Sequence, residues 1–91
     1  MPDITIYTKL YCPYCDAAKD LLRKKNVAYD EISVDGDRAA QLAMTQRANG
    51  RSTVPQIFIG EAHVGGCDDI YGLEAAGKLD ALLGARGQTG T

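Results

Sequence analysis

The chain has 91 residues, with ten Lys+Arg against twelve Asp+Glu and a formal net charge of −2. That length holds one domain, and no net or local excess of base marks a nucleic-acid footprint. With 45% hydrophobic and 24% charged residues, a folded globular domain is expected rather than a disordered one.

Ile4 to Thr8 is β-branched and aromatic and predicts a strand. Lys9 to Tyr11 connects it to a helix from Pro13, a residue type favoured at the first helical position, to Asn26. Tyr14, Ala17, Ala18, Leu21 and Leu22 recur there at helical spacing. Its other face carries Asp16, Lys19, Asp20, Arg23, Lys24 and Lys25, acid early and base late, in favourable order for the helix dipole. A second strand is predicted over Val27–Val34. Asp35-Gly36-Asp37 reads as a turn, with Asp37 placed to cap a helix over Arg38–Ala48. The apolar face of that helix is read as Ala39, Leu42 and Ala43, with Arg47 at the same spacing, and Asn49-Gly50 stops it.

Thr53–Ile59 is a third predicted strand, with Pro55 confined to its start or to a sheet edge. Gly60-Glu61 separates it from Ala62-His63-Val64 as a hairpin. After Gly65-Gly66, one helix is predicted from Cys67 to Leu83, with Asp68 and Asp69 in its first turn and Gly72 and Gly77 weakening it. Residues 1–84 read as the domain and residues 85–91 as a loose, glycine-rich tail. The order β-α-β-α-β-β-α implies a parallel pair joined by a right-handed crossover plus an antiparallel hairpin. The result is an α/β fold with a four-stranded mixed sheet and helices on both faces.

No apolar run approaches the roughly 18 residues of a membrane span. The opening MPDITIYTKL has no basic stretch followed by an apolar one, so no secretory signal and no membrane contact are expected. A cytoplasmic location with reduced cysteines follows. The three cysteines are an odd count, which argues against a disulfide scaffold and for a chemical role of the close pair Cys12 and Cys15.

Two cysteines three apart at a helix start lie on one face within disulfide reach, a Cα separation of about 5.5 Å. Cys12, just outside the helix, faces unpaired N–H groups and the positive end of the dipole, and Lys9 adds a nearby cation. Such cysteines fall from a pKa of about 8.5 to roughly 3.5–7.5, giving a thiolate that attacks and leaves well. Cys12 is therefore expected to attack and Cys15 to resolve. A zinc reading needs two further ligands, for which His63 and Cys67 are available, and plain packing cysteines are the other alternative. The strand–CxxC–helix setting favours redox chemistry over both.

Tyr7-Thr8-Lys9, Cys12-Pro13-Tyr14-Cys15, Thr53-Val54-Pro55 and Gly65-Gly66-Cys67-Asp68-Asp69 together resemble a dithiol glutaredoxin, close to the small bacterial glutaredoxin 3 type. The resemblance runs from about Ile4 to Leu83 and implies a thioredoxin fold. It implies a glutathione-dependent thiol–disulfide oxidoreductase with glutathione as co-substrate, and no metal. Pro55 would be cis, and the Val54 backbone would pair with the cysteinyl part of glutathione beside Thr53. Gly66, Cys67, Asp68 and Asp69 would open a helix that binds the γ-glutamyl carboxylate. Asp68, ahead of Asp69, is the acid for its ammonium group, the other acid serving as a cap. Lys9 and Arg47 would meet the glycine carboxylate, Tyr14 would border the site, and Arg51 would point to solvent. Cys67 is read as a small hydrophobic filler or redox-sensitive bystander. Tyr7, Tyr11, Tyr29, Tyr71 and Phe58 are read as packing residues.

The expected substrates are protein–glutathione mixed disulfides, reduced through Cys12 alone, and protein disulfides, reduced through both cysteines. Electron donation to a reductive enzyme such as ribonucleotide reductase fits the second mode, and a monomer is expected. Two alternatives are weaker. A redoxin recycled by a flavoprotein reductase would not need Lys9, Arg47 and Asp68. An iron–sulfur carrier would bridge two chains through Cys12, but relatives of that kind carry Cys-Gly-Phe-Ser, whereas here Pro13 stiffens the loop and Cys15 offers a competing disulfide.

Overall fold

The alternation of Ile4, Ile6 and Tyr7 along the first strand divides the core in two. In the computed structural model, which describes residues 3–84, β1 (Ile4–Thr8), β2 (Asp30–Ser33), β3 (Gln56–Ile59) and β4 (Ala62–Gly65) form one sheet in the order β2-β1-β3-β4. β1 runs parallel to β2 and antiparallel to β3, and β3 antiparallel to β4. Successive strand side chains point to opposite faces. Ile4 and Ile6, paired with Ile59 and Ile57, therefore pack with Ala18, Leu21, Leu22, Ile70, Leu79 and Leu83 on one face. Tyr7 and Phe58 pack with Val34, Met44 and Ala48 on the other. The mixed four-stranded sheet is the one expected from the sequence, and its two central strands are buried on both sides. Each fully buried aliphatic side chain here stabilises by about 1.5–3 kcal/mol.

α1 (Pro13–Lys24) and α3 (Cys67–Ala75) supply the first face, and α2 (Arg38–Arg47) the second. α1 stops two residues before Asn26. Asn26 takes the left-handed conformation (φ 59°), and its N–H bonds Arg23 O at 2.9 Å while Val27 N–H bonds Leu22 O at 3.4 Å. That is a Schellman closure, in which asparagine stands in for glycine. The second strand shrinks accordingly, from the predicted Val27–Val34 to Asp30–Ser33, an edge strand exposed at every position.

The predicted face of α2 is corrected by the structure. Ala40, Met44 and Ala48 turn inward, while Leu42 is 54% exposed. Alanines surround this helix, so several stripes are nearly equal in apolar character. The packed stripe at i, i+4, i+8 is the one that puts the adaptable Met44 against Tyr7 and Phe58. Asp37 caps the helix as expected, its carboxylate accepting from Ala40 N–H at 3.0 Å.

The predicted final helix is also not continuous. Gly77 (φ 73°) ends α3, with Gly77 N–H on Glu74 O and Lys78 N–H on Leu73 O, and a short α4 (Leu79–Leu82) follows. Gly72 is tolerated inside α3, but Gly77 sits where the chain reverses hand. Lys25 ties the pieces together through Glu74 at 2.7 Å and Asp80 at 2.8 Å. The predicted tail, residues 85–91, lies outside the described residues. Among the described residues no helix is long and apolar enough to cross a membrane.

Candidate active site

The β1–α1 connection presents the cysteine pair. Leu10 N–H donates to the Asp35 carboxylate, which anchors this connection to the turn after β2. Tyr11 takes a left-handed conformation (φ 54°) and is 99% exposed. It is thus not a packing residue, contrary to the sequence reading, because the turn throws its ring outward. Cys12 is the N-cap of α1, in extended conformation, with Pro13 following at the first helical position. Its Sγ accepts from Cys15 N–H at 3.1 Å, satisfying one of the end donors of the helix. The two cysteines form a disulfide with Cα atoms 5.2 Å apart. Cys15 is 1% exposed and Cys12 half-buried, so the outer sulfur is the one an incoming disulfide can reach. On reduction the same N–H and the dipole of α1 face a Cys12 thiolate.

Beside the pair lies an open cleft of about 150 Å³, lined by Tyr14, Arg51, Thr53, Val54, Pro55, Gly66, Cys67, Asp68 and Asp69. Tyr14, between the cysteines in sequence, joins it to them. The Val54–Pro55 bond is cis, as the resemblance implies. On the opposite wall the chain turns at Gly65 (φ 115°) into Gly66, the N-cap of α3. Asp69 closes this turn: one carboxylate oxygen accepts from Gly66 N–H at 2.8 Å and from Arg51 Nη1 at 3.1 Å. The Gly66 N–H first, then Arg51, holds the Asp69 carboxyl below the usual carboxylate range.

Arg51, expected to point to solvent, is therefore part of the cleft wall. Two glycines and Asp69 leave its guanidinium a place to dock, which single-residue reading does not reveal. Of the two acids at this helix start, Asp69 is the cap and Asp68 is exposed at the cleft. Burial, followed by the neighbouring Asp68, pushes the Cys67 thiol up. These effects outweigh its position at a helix start, so it is not acidified.

The remaining predicted residues lie elsewhere. Lys9 lines a separate depression with Asp35, Asp37, Arg38 and Gln41. Arg47 lies over the Phe58 ring, 4.1 Å from its centroid, and donates to the Tyr7 hydroxyl at 3.0 Å. A planar guanidinium stacks on an aromatic face while its edge hydrogen-bonds, so this cation helps cover the α2-side core. His63 stacks on Phe58 and bonds Gln56 through Nε2, which engages one of the two ring nitrogens open to the zinc reading.

Replacing Asp69 by Ala is expected to remove about 1 kcal/mol of stability at neutral pH, the typical worth of a side chain satisfying a helix-end N–H. Because its folded pKa is depressed, this contribution is present above the unfolded value of about 3.9 and is lost as pH falls through the folded pKa. Urea denaturation of wild type and variant should therefore converge in acid. A difference that persists undiminished well below that pH would assign the loss to packing instead.

A surface-facing cysteine at a helix N-cap, a buried partner one turn on and an adjoining cleft define a thiol–disulfide oxidoreductase on a thioredoxin-type sheet. Residues 4–64 match the family model described as Glutaredoxin, and the chain belongs to that family. It is 55% identical over 85 residues to glutaredoxin from Pseudomonas aeruginosa, covering 93% of this chain and 100% of that one. It is 53% identical over 83 residues to glutaredoxin 3 from Escherichia coli K12, covering 91% and 99%. Among solved structures it resembles the buckwheat glutaredoxin–glutathione complex with a TM-score of 0.83 at 35% identity, covering 94% and 80% of the two chains. The protein is thus a glutathione-dependent thiol–disulfide oxidoreductase.

Proposed function

We propose that the cleft binds glutathione and that Cys12 is the attacking thiol. The observation that carries this reading is the N-cap position of Cys12, its Sγ already accepting a helix-end N–H next to the cleft that Tyr14 joins to it. The Cys12 thiolate attacks the glutathione sulfur of a protein–glutathione mixed disulfide. The S–S bond breaks, the protein thiolate leaves and takes a proton, and a Cys12–glutathione disulfide forms. A second glutathione thiolate attacks the bound glutathione sulfur, releasing glutathione disulfide and restoring the Cys12 thiolate. For a protein disulfide, Cys12 forms the mixed disulfide with substrate and the Cys15 thiolate displaces the substrate from it. The Cys12–Cys15 disulfide that results is then reduced by two glutathiones. In both routes the two electrons come from glutathione.

The Val54 backbone pairs with the cysteinyl residue of glutathione beside Thr53 and Pro55. The first free N–H groups of α3, at Cys67 and Asp68, take the γ-glutamyl carboxylate beside the Gly66 N–H that Asp69 holds. With Asp69 held by Arg51 and Gly66, Asp68 faces the ammonium group. Where glutathione extends beyond the cleft, Lys9 meets its glycine carboxylate, and the multiple N–H donors of Arg47 allow it to bond Tyr7 and a carboxylate together. The protein acts as a monomer in the cytoplasm, and a reductive enzyme such as ribonucleotide reductase is a fitting disulfide partner.

The test is turnover of a glutathionylated peptide with glutathione as the only reductant. Wild type should turn over, and Asp68→Asn should raise the KM for the peptide several-fold, less so at high salt, as for one exposed charge pair. Turnover only when a flavoprotein reductase replaces glutathione would overturn the reading.

A further inference from the structure

Gln56 opens β3 directly after Pro55, and its carboxamide is fully buried (0% exposed). Such a group is costly inside a protein unless both ends are hydrogen-bonded. Its Oε1 lies 2.7 Å from His63 Nε2, and its Nε2 donates to Thr53 Oγ1 at 3.3 Å. His63, on β4, is itself fixed. Its ring stacks on Phe58 with centroids 5.0 Å apart and planes at 26°, and Phe58 is clamped by Tyr7 at its edge and by Arg47. Burial first, then the charge of Arg51, keeps His63 below the ordinary histidine range and so favours the neutral ring. A neutral imidazole facing a carbonyl oxygen through Nε2 carries its proton there. The amide itself lies with oxygen toward His63 and nitrogen toward Thr53. Thr53 Oγ1 then accepts, and its own proton is left for a partner on the cleft side.

We propose that Gln56 is a positioning residue for the reaction: anchored by His63, it fixes the rotamer and hydrogen-bond polarity of the Thr53 hydroxyl, making it a donor to a carbonyl or carboxylate oxygen of the bound glutathionyl group. This rests on the reading of the cleft as the glutathione site. The chain of contacts runs from β4, through the interior, to the cleft wall without touching either cysteine. Its effect therefore falls on substrate binding and not on thiol acidity.

The experiment is a double-mutant cycle in steady-state turnover of a glutathionylated peptide by the full chain, with glutathione as reductant. Gln56→Met keeps length and volume while deleting both bonds. Its KM should rise about five-fold, the worth of one lost neutral hydrogen bond, with kcat nearly unchanged. Thr53→Val should raise KM at least as much. The double variant should be no worse than Thr53→Val alone, because the two act through one hydroxyl. The pH profile of Cys12 alkylation should coincide in all four proteins. Additive effects, an unchanged KM, a loss confined to kcat or a shifted alkylation profile would each overturn the proposal. Should Gln56→Met not fold, His63→Phe retains the stacked ring, removes the anchor, and must show the same non-additivity with Thr53→Val. A wild type that turns over with glutathione while the cycle is additive removes this inference and leaves the proposed function standing. A wild type that needs a flavoprotein reductase removes both.

Discussion

Cys12→Ser is expected to stop the reduction of glutathionylated peptide, by a factor on the order of 10³ or more, while Cys15→Ser should retain it and lose only the reduction of protein disulfides. The asymmetry follows from position. Cys12 is the reachable sulfur and holds the cap hydrogen bond, whereas Cys15 is buried in the first turn of α1. A serine oxygen at Cys12 would accept the same N–H but is not ionised at neutral pH and forms no mixed disulfide. Without Cys15 the Cys12–glutathione disulfide still has an external attacker, a second glutathione, so the monothiol cycle closes. Alkylation of the reduced protein below neutral pH, followed by peptide mass analysis, gives the matching chemical readout. Cys12 should react well ahead of Cys67, whose thiol is pushed up. Equal rates at the two cysteines, or equal inactivation by the two serine variants, would contradict the assignment.

Gly65→Ala is the second large effect, expected to cost about 2–4 kcal/mol of stability and to raise the KM for glutathionylated peptide at least about ten-fold. Gly65 sits at φ 115°, where an L side chain is strained, and a Cβ there would stand 2.7 Å from Asp69 Cγ and 2.9 Å from Arg51 Nη1. Arg51, half-exposed, can swing aside, but Asp69 cannot move cheaply because it holds Gly66 N–H as well as Arg51. The methyl must therefore part the cap from the helix start that it closes. Gly36→Ala separates the two causes: it also has positive φ (64°) but nothing within 4 Å of the added Cβ. It should cost only the backbone part, about 1 kcal/mol, and leave KM unchanged. Equal KM values for Gly65→Ala and wild type would show that the Asp69 cap does not shape the cleft.

Much of this was legible in sequence because it is local. Period-two alternation in Ile4–Tyr7 and Gln56–Ile59 sets which face each side chain meets. Pro13 after Cys12 marks the helix start, and Asp37 marks the next one. The errors lie where local signals tie or where the partner is distant. Alanines on every side of α2 left its phase to the packing of Met44. Gly77 looked like a weak spot in one helix, but a left-handed residue is a stop when its own N–H and the next one can close back on Glu74 and Leu73. Arg51 is separated by 18 residues from Asp69, its ion-pair partner. The chain Thr53–Gln56–His63 depends on the β3–β4 register, which no spacing rule supplies.

The exposed strand β2 bears on how copies of this protein meet at high concentration. It is the outer edge of the sheet, with unpaired backbone groups along one side, and such edges invite another strand to dock. A second β2 laid parallel and in register against it would bring Asp30 and Glu31 beside the same carboxylates, and like charges on neighbouring strands repel. Glu31 is moreover held in place by the Thr8 hydroxyl at 2.7 Å and Lys19 at 3.1 Å, so its charge cannot easily swing aside. The acidic rim guards the sheet against in-register growth, edge to edge, into larger aggregates.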